Sequence, residues 1–346
     1  MEIIPYQFTL DDKKVTTYKL NFEGYKIMLD CGSNLLKRED FMDVDYIFIS
    51  HAHLDHWIGL YENYKHLKKD CKIFATLTTK KLINAIVNDF LNGETNLSSH
   101  EKKQIRSIFM NIKEKYFEEP FACGELVFTL YPAGHMFGAS MLYIEGKRTF
   151  LYTGDMDYVK GNKVRSYYFD ASKRIDILLI DGTKLYTDSF KKTWISEIKK
   201  DIRERKFKNY RIYVKDKTKA VFYAFELAKE FDDRKIFYEG DLSNVNNILY
   251  EQGYDIYEKN RILSIKMMKS KYPRTISITS KSQEKAKYCE TKLGLHISSD
   301  DIHEFIYQYA RRAKVLIGHF DLDYYDKLSN DFKNFHFLQK EKVKIS

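Results

Sequence analysis

A cluster of four potential metal ligands follows one short apolar strand, and it constrains the fold and chemistry of the chain more than any other feature. The segment IFISHAHLDH carries His51, His53, Asp55 and His56 within six positions. A loop that leaves a buried strand can fix such side chains in space, which a free helix surface does not. Imidazole and carboxylate groups are the ligands that Zn²⁺ takes in hydrolytic sites. The pattern therefore predicts a metal centre.

Two later segments place further ligand types directly after predicted strands. His135 lies in AGHMFGAS between Gly134 and Gly138, and Asp155 ends a strand in LYTGDMD. Glycines beside such residues permit the tight turns that a site loop needs. The four cysteines are scattered without C-x-x-C spacing, which indicates reduced thiols. A metal ion would therefore be held by histidine and carboxylate side chains.

The length of 346 residues allows one large core or two ordinary ones, so the chain needs no disulfide or metal merely to stay folded. Hydrophobic residues make up 44% and charged residues 31%, which excludes a mostly disordered or collagen-like chain. No run approaches ~20 apolar residues, and the first residues lack a basic-then-apolar signal pattern. We therefore expect a globular cytoplasmic protein without a membrane span.

Changes in hydrophobic period along the chain predict its secondary structure. Short β-branched and aromatic runs predict strands before residue 51 and again between residues 125 and 181. Two helices are expected between them: one from Thr79 to Gly93, and one that begins with the capping box Ser98-x-x-Glu101 and runs toward Tyr116. After residue 184 helical and strand patterns alternate, which is typical of βα units with a parallel sheet.

The positive charge is concentrated in this alternating segment. The whole chain has a formal net charge of +9, of which residues 184–318 carry +10 and the remaining residues −1. A solvated lysine-rich surface is one explanation, and an anionic polymer as a partner is the other. Charge alone leaves both open.

Taken together, the motifs resemble the metallo-beta-lactamase fold and, more narrowly, its beta-CASP branch of RNA- and DNA-processing nucleases. The best-matched stretches are MLDCGSN, DYIFISHAHLDHWIGL, YPAGHMFGASMLYIEGKRTFLYTGDM and RIDILLIDGTKLY. The resemblance implies an α/β fold, a four-layer αββα sandwich with an inserted α/β beta-CASP domain. Residues 1–183 would form the first part of the core, residues 184–314 a beta-CASP-like lid domain, and residues 315–346 the C-terminal completion of the core.

The resemblance also implies a site with two zinc ions, for which Mn²⁺ can substitute. By position, His51, His53 and His135 would bind one zinc, Asp55 and His56 the other, and Asp155 would bridge the two. Asp30 in the LDCG turn resembles the family's acid that orients the ligand loop from behind. His336, which lies 17 positions after His319, is the histidine available to complete the second zinc, although the usual V-H-G-E phrase is absent.

The implied chemistry is attack on phosphorus by a metal-activated water, with Asp55 counted among the catalytic residues as well as the ligands. The phrase IGHFDLD resembles a motif whose histidine acts near the leaving group, so His319 is expected to protonate the leaving oxygen. Asp181 resembles the acid that orients this histidine, and Asp321 is expected to brace its loop. A structural histidine at a strand end, and a turn or cap role for Asp181, stay open as alternatives.

The function implied by the resemblance is a zinc-dependent phosphodiesterase that cleaves nucleic acid, RNA before DNA, as an endonuclease, a 5′ exonuclease or both. Asp181 favours DNA, because DNA-processing members tend to carry aspartate there, whereas AGHMFGAS and IGHFDLD are closer to the RNA-processing type. A DNA nuclease and a nuclease-like, non-catalytic nucleic-acid-binding subunit are therefore kept as alternatives. Thioester or lactam hydrolysis is disfavoured by the basic insertion. A homodimer is a further expectation from the family.

Overall fold

The computed structural model describes most of the chain. The described residues are 1–10, 13–32, 36–158, 164, 166–183, 185, 200, 202–204, 209–213, 223–224, 226–228, 230–231, 233–239, 248, 262–264, 274–279, 288–289, 297–320, 325–331, 333–338 and 342–345. The chain divides into two compact units, unit 1 with Met1–Asp188 and Leu295–Ser346, and unit 2 with Ser189–Gly294. The inserted segment expected from sequence, residues 184–314, has wider limits than unit 2, and its role as a lid stays a prediction.

The first seven-stranded sheet of unit 1 ends in the predicted ligand loop. Its strands, in spatial order, are β19 (Val343–Lys344), β1 (Glu2–Leu10), β2 (Lys13–Phe22), β3 (Tyr25–Leu29), β4 (Tyr46–Phe48), β5 (Lys72–Thr76) and β6 (Lys113–Lys115). Strands β1 to β3 pair antiparallel, and β3 to β6 pair parallel. Because the carboxyl ends of parallel strands meet at one edge, Asp30 after β3 lies beside the loop after β4.

The second seven-stranded sheet of unit 1 brings the later site residues to one edge. In spatial order its strands are β18 (His336–Phe337), β17 (Lys314–Gly318), β11 (Ile177–Asp181), β10 (Thr149–Tyr152), β9 (Ser140–Glu145), β8 (Leu126–Pro132) and β7 (Phe121–Cys123). Strands β10, β11 and β17 are parallel, and Asp181 pairs in register with Gly318. Their carboxyl ends therefore place Asp155, Asp181 and His319 close together.

One hydrophobic cluster joins the inner faces of these two sheets. Phe22 of the first sheet packs on Phe150 of the second with ring centroids 6.2 Å apart, and Phe48 packs on Tyr152 at 6.3 Å. The abundant aromatic residues of the chain thus serve first to fill the core. Mixed sheets with helices make this an α/β fold, as the sequence predicts.

Among the described residues of unit 1, three helices are longer than ten residues and the others are short. They are α1 (Arg38–Phe41), α2 (Ile58–Glu62), α3 (Leu77–Gly93), α4 (Ser99–Met110), α5 (Ser299–Tyr309) and α6 (Tyr325–Asp331), with 3₁₀ turns at Leu54–His56 and Tyr64–His66. In α3 the predicted apolar face is buried, including Leu82, Ile83 and Val87. None of the described helices is long and apolar enough to span a bilayer.

Helix α4 confirms the predicted start and corrects the predicted end. The Ser98 side chain accepts from the backbone of Glu101, and the Glu101 carboxylate accepts from the backbone of Ser98, so both halves of the capping box are formed. The helix ends at Met110 and not near Tyr116, because the following residues pair with β5 as strand β6. Pairing with the sheet thus overrides the helical pattern of this segment.

Unit 2 contains a five-stranded sheet of its own. Its strands, in spatial order, are β14 (Ile262–Ser264), β13 (Lys235–Glu239), β15 (Thr275–Thr279), β12 (Asn209–Tyr213) and β16 (Tyr288–Cys289). All pairs are parallel, as the alternating pattern predicts. The basic stretches KKDIRERKFK and KNRILSIKMMKSKYPR lie largely outside the described residues.

Candidate metal centre

The ligand loop is locked against the turn that follows β3. The backbone N–H of Cys31 donates to the carbonyl of His56 at 2.8 Å. The turn and the ligand loop approach each other most closely at Gly32, where a Cβ atom would lie 1.6 Å from the carbonyl oxygen of Asp55. Only glycine can occupy this position without moving the loop. The LDCG turn is thus a fixed support for the loop that carries His51 to His56.

The buried carboxylate of Asp30 is the centre of that support. It accepts from the Ser50 backbone at 2.7 Å, the Ser50 hydroxyl at 2.8 Å and the Tyr152 hydroxyl at 2.7 Å, and it lies 2.8 Å from His56 Nδ1. Asp30 has a φ of +57°, a left-handed conformation that aspartate tolerates better than most residues. Asp30 therefore lies where an acid that orients the ligand loop would be needed.

These contacts set which nitrogen of each imidazole faces inward. A carboxylate only accepts, so His56 Nδ1 carries the proton toward Asp30 and its Nε2 is left as a lone pair. The Ser50 hydroxyl donates to Asp30, so His51 Nδ1, 3.0 Å from the Ser50 Oγ, donates to that hydroxyl. Both rings therefore present a basic Nε2 to the interior of the site.

Four predicted ligands converge in the first group. His51 Nε2 lies 2.9 Å from His53 Nδ1, and His135 Nε2 lies 3.1 Å from the same atom. Asp155 Oδ2 faces them, 3.8 Å from His51 and 3.6 Å from His135. All four side chains are buried, and one ligand atom of each falls within a 4.8 Å cluster. The structure brings together the residues that the sequence assigns to one metal ion.

A second group joins Asp55, His56 and His319, and a third joins Asp155, Asp181 and His319, each also within 4.8 Å. His319 Nδ1 lies 2.6 Å from Asp155 Oδ1, while His56 Nε2 lies 3.4 Å from Asp155 Oδ2. Asp155 thus contacts both groups of histidines. The histidine that lies with Asp55 and His56 is therefore His319, whereas the sequence analysis offered His336 for this position. His336 itself is exposed on β18 and belongs to none of the three groups, and Asp321 lies outside the described residues.

The position of His319 is fixed through its backbone. Its N–H donates to the Tyr18 hydroxyl at 2.9 Å, and its carbonyl oxygen lies 2.8 Å from the Thr183 hydroxyl. A Cβ atom at Gly318 would lie 2.0 Å from that Tyr18 hydroxyl, so glycine is needed there. His319 has a φ of +51°, a left-handed conformation that costs energy for a residue other than glycine. Asp181 accepts from the Thr183 backbone at 2.9 Å and lies 3.8 Å from His319 Nδ1.

Burial and neighbouring charges shift the pKa values of His51 and His56 in opposite directions. Burial, followed by the neighbouring histidines, holds the pKa of His51 well below its ordinary value, which keeps this ring neutral as a metal ligand requires. Burial acts in the same direction on His56, but the carboxylates of Asp155 and Asp30 outweigh it and raise its pKa well above the ordinary value. The carboxylates thus favour a positive charge at His56, which a cation bound at Nε2 would supply in place of a proton.

The residues present fit a divalent cation. His56 Nε2 is buried and has no hydrogen-bond partner among the described residues. Tetrahedral ligands at 2.0–2.1 Å from zinc lie about 3.3 Å apart, so the nitrogen separations in the first group need to open by only a few tenths of an ångström. The donor set of imidazoles and carboxylates suits zinc better than calcium or magnesium.

Sequence reasoning missed the hydroxyl groups that hold this cluster, namely Ser50, Tyr152, Tyr18 and Thr183. Ser50 and Tyr152 lie next to the ligand motifs, in IFISHAH and LYTGD, so their proximity along the chain was a usable signal. No local pattern marks Tyr18, which is 301 positions from His319.

Comparison with known proteins agrees with this geometry. A family model described as Anti-Pycsar protein Apyc1 matches residues 14–200, a little over half of the chain. A probable ribonuclease, RNase MJ4 of Methanocaldococcus jannaschii, is 32% identical over 176 residues, covering 46% of this chain and 40% of that protein. The cleavage and polyadenylation specificity factor 73 of Drosophila melanogaster is 29% identical over 183 residues, covering 47% of this chain and 26% of the relative.

Coverage limits what these relatives imply, because the chain spans less than half the length of the curated proteins it matches. A crystal structure of a protein of unknown function from Enterococcus faecalis has a TM-score of 0.64 at 13% identity, covering 99% of this chain and 100% of the other, which supports the fold alone. The match to the family model shows that the chain belongs to the Anti-Pycsar protein Apyc1 family, and its curated relatives identify it as a distant member of the beta-CASP branch of metallo-beta-lactamase-fold nucleases.

Proposed function

We propose that the protein is a zinc-dependent phosphodiesterase that cleaves nucleic acid, with RNA as the preferred substrate and endonuclease or 5′ exonuclease activity. The observation that carries the proposal is the convergence of the first group, formed by His51, His53, His135 and Asp155, with a second group that contains His319. The two groups meet where His319 contacts Asp155. The relatives named as ribonucleases support RNA as the substrate. A cytoplasmic location and a homodimer stay predictions from sequence.

Two zinc ions in these groups would supply Lewis-acid polarisation of the phosphodiester and an activated water. The protein's own part is positional. Asp155 can contact both groups through its two carboxylate oxygens, and Asp30 and Ser50 hold His56 and His51 with Nε2 inward. Asp55, which the 3₁₀ turn at Leu54–His56 directs toward the second group, has no role in the first. The arrangement leaves no need for a protein nucleophile.

We further propose that His319 is a ligand of the second ion and not primarily the proton donor expected from sequence. Its Nδ1 is 2.6 Å from Asp155 Oδ1, and it shares a ligand-sized cluster with Asp55 and His56. Metal analysis of His319→Gln and His336→Gln separates the two roles. The ligand role requires loss of about one ion per chain in the first variant and no loss in the second. A His319→Gln protein with full metal content and slow cleavage would support the proton-donor role.

The substrate is tested with RNA and single-stranded DNA of matched sequence, labelled at the 5′ end in one set and at the 3′ end in another, with added Zn²⁺ or Mn²⁺. Preferred RNA cleavage is expected, because two of the relatives in the comparison are named as ribonucleases or ribonuclease-like. Product ladders from the two labels distinguish internal cuts from stepwise removal at the 5′ end. Faster DNA cleavage would select the DNA nuclease, and hydrolysis of a cyclic mononucleotide with both polymers intact would reject a polymer-cleaving enzyme.

The catalytic role of the cluster is tested with Asp55→Ala combined with His56→Ala. We expect cleavage to be abolished while RNA binding is largely retained. Asp70→Ala with His100→Ala is the matched control, because it removes the same residue types from exposed positions. Equal cleavage by wild type and the first double variant would contradict the mechanism. Bound RNA without cleavage by metal-loaded wild type would instead support the non-catalytic binding subunit.

The inserted segment, residues 184–314, is proposed as a beta-CASP-like lid domain that contacts the phosphate backbone, and residues 1–183 and 315–346 are proposed as a four-layer metallo-beta-lactamase core. The support is its excess positive charge and the parallel sheet of unit 2. Contacts of this kind release counterions, so RNA affinity should fall steeply as salt concentration rises. A salt-independent affinity would argue against backbone contacts.

A further inference from the structure

A small basic cavity lies at the opposite end of the second sheet from the candidate metal centre. Its volume is about 220 Å³, and it is lined by Lys147, Arg148, Arg174, Asp176, Ile177, Lys314 and Ile345. Ile177 and Lys314 are the first residues of the parallel strands β11 and β17. The last residue of β11 is Asp181 at the metal centre, so the two sites are separated by about 13 Å of strand. The cavity is therefore a distinct site.

The cations of this cavity outnumber its carboxylates by four to one. The one lining carboxylate, Asp176, is already engaged: it lies 2.7 Å from Arg174 Nε and accepts from the Thr149 backbone at 2.9 Å. The nearby Glu23 accepts from the backbone N–H groups of the Lys147–Arg148 turn, at 3.0 and 3.1 Å, and not from their side chains. It shapes the turn and forms no ion pair with either side chain.

Three of these cationic side chains have no carboxylate partner among the described residues. Within the described part of the chain, no carboxylate pairs with the side chains of Lys147, Arg148 or Lys314. The effect of one of them is visible on a neighbour: burial, followed by the charge of Lys314, lowers the pKa of His336 on the adjacent strand β18. The three cations without a carboxylate partner repel each other, and an anion bound among them would relieve that repulsion.

The size and chemistry of the cavity narrow the class of anion. It is smaller than the ~300 Å³ at which pockets for drug-sized ligands begin. Arginine guanidinium groups bind the oxygens of phosphate in a bidentate way, and lysine adds a point charge. We propose that this cavity is a second anion site that binds a phosphate dianion, either inorganic phosphate or the terminal phosphate of a nucleotide, separately from the metal centre.

The test is a calorimetric titration of the 346-residue chain with inorganic phosphate, once with metal bound and once after chelation. The proposal requires phosphate binding that persists after chelation, because the metal centre then contributes none. The same titration with adenosine 5′-monophosphate distinguishes the two sources of phosphate: tighter binding than inorganic phosphate points to a nucleotide, and equal or weaker binding points to the free ion. Loss of all phosphate binding on chelation would overturn the proposal.

Variants assign the binding to this cavity. Arg148→Gln with Lys314→Gln should weaken phosphate binding to the chelated protein by at least ~tenfold, because two charged donors are removed. Lys113→Gln, at an exposed position on β6 of the first sheet, is the matched control and should bind as wild type. The charge-conserving pair Arg148→Lys with Lys314→Arg guards against misfolding and should retain binding. Unchanged binding in the Gln pair, or equal loss in Lys113→Gln, would refute the assignment.

Discussion

Replacing Asp30 with asparagine tests whether the support behind the ligands controls metal binding. The substitution keeps the shape of the side chain, and asparagine tolerates the φ of +57° found at this position. It removes the charge, however, and it exchanges one accepting oxygen for an NH₂ group. That oxygen receives Tyr152, Ser50 and His56 at 2.7 to 2.8 Å. An NH₂ group there would face three donors.

The expected loss of metal affinity follows from the effect of the substitution on His56. To meet an NH₂ group, His56 must turn its Nδ1 lone pair toward position 30 and move its proton to Nε2, the atom that faces Asp155. Loss of such an outer partner weakens metal binding by roughly 10- to 100-fold, equivalent to about 1.4–2.8 kcal/mol. Competition with a chromophoric chelator measures this affinity. An amide that instead presented its oxygen to His56 would leave the Ser50 backbone N–H facing the NH₂ group, so thermal stability should fall in either orientation.

Tyr152→Phe is the matched control. It removes one of the same hydrogen bonds, at a cost of about 1 kcal/mol in unfolding free energy, but it leaves the carboxylate charge and the His56 contact in place. We expect its metal affinity to be unchanged. Wild-type metal affinity in Asp30→Asn, with a native melting profile, would refute the view that Asp30 sets the tautomer of His56.

Three further predictions concern packing and charge. Gly32→Ala should prevent stable folding of the ligand loop, since its Cβ would lie 1.6 Å from a backbone oxygen, whereas Gly93→Ala meets nothing within 4 Å and should be tolerated, as urea unfolding would show. Phe150→Ala, fully buried between the sheets, should cost about 3–5 kcal/mol in unfolding free energy, and a loss below 1 kcal/mol would contradict the assigned core. The hydrogen bond from Lys65 lowers the pKa of Glu101 to about 2, from an ordinary 4.5. Its contribution to stability is therefore present above pH 4.5 and is lost as pH falls toward 2, and the stability difference between wild type and Glu101→Gln should disappear over that range.

The sequence predicted best where the residues that meet in space are also close along the chain. His51, His53 and His56 share one loop, and the capping box at Ser98 spans four residues, so both could be recognised locally. The end of α4 could not, because it depends on pairing with β5. His336 was a candidate by spacing alone, and the strand geometry leaves it exposed.

The longest-range parts of the site had no local signal. Tyr18 contacts the backbone of His319 only because β2 and β17 belong to sheets that pack on each other through one core. In the same way, the cations around the basic cavity come from two turns and a strand start, which no spacing in the sequence connects. Such features become visible only when the sheet register is known.

The contact between Asp155 and His319 has a consequence for biosynthesis. These residues are 164 positions apart, and the whole of unit 2 is translated between them. A nascent chain therefore presents the three histidines and the aspartate that are proposed to hold one cation well before the remaining imidazole leaves the ribosome. If two ions bind as proposed, metal loading should be stepwise, with the second ion entering only after β17 has joined its sheet.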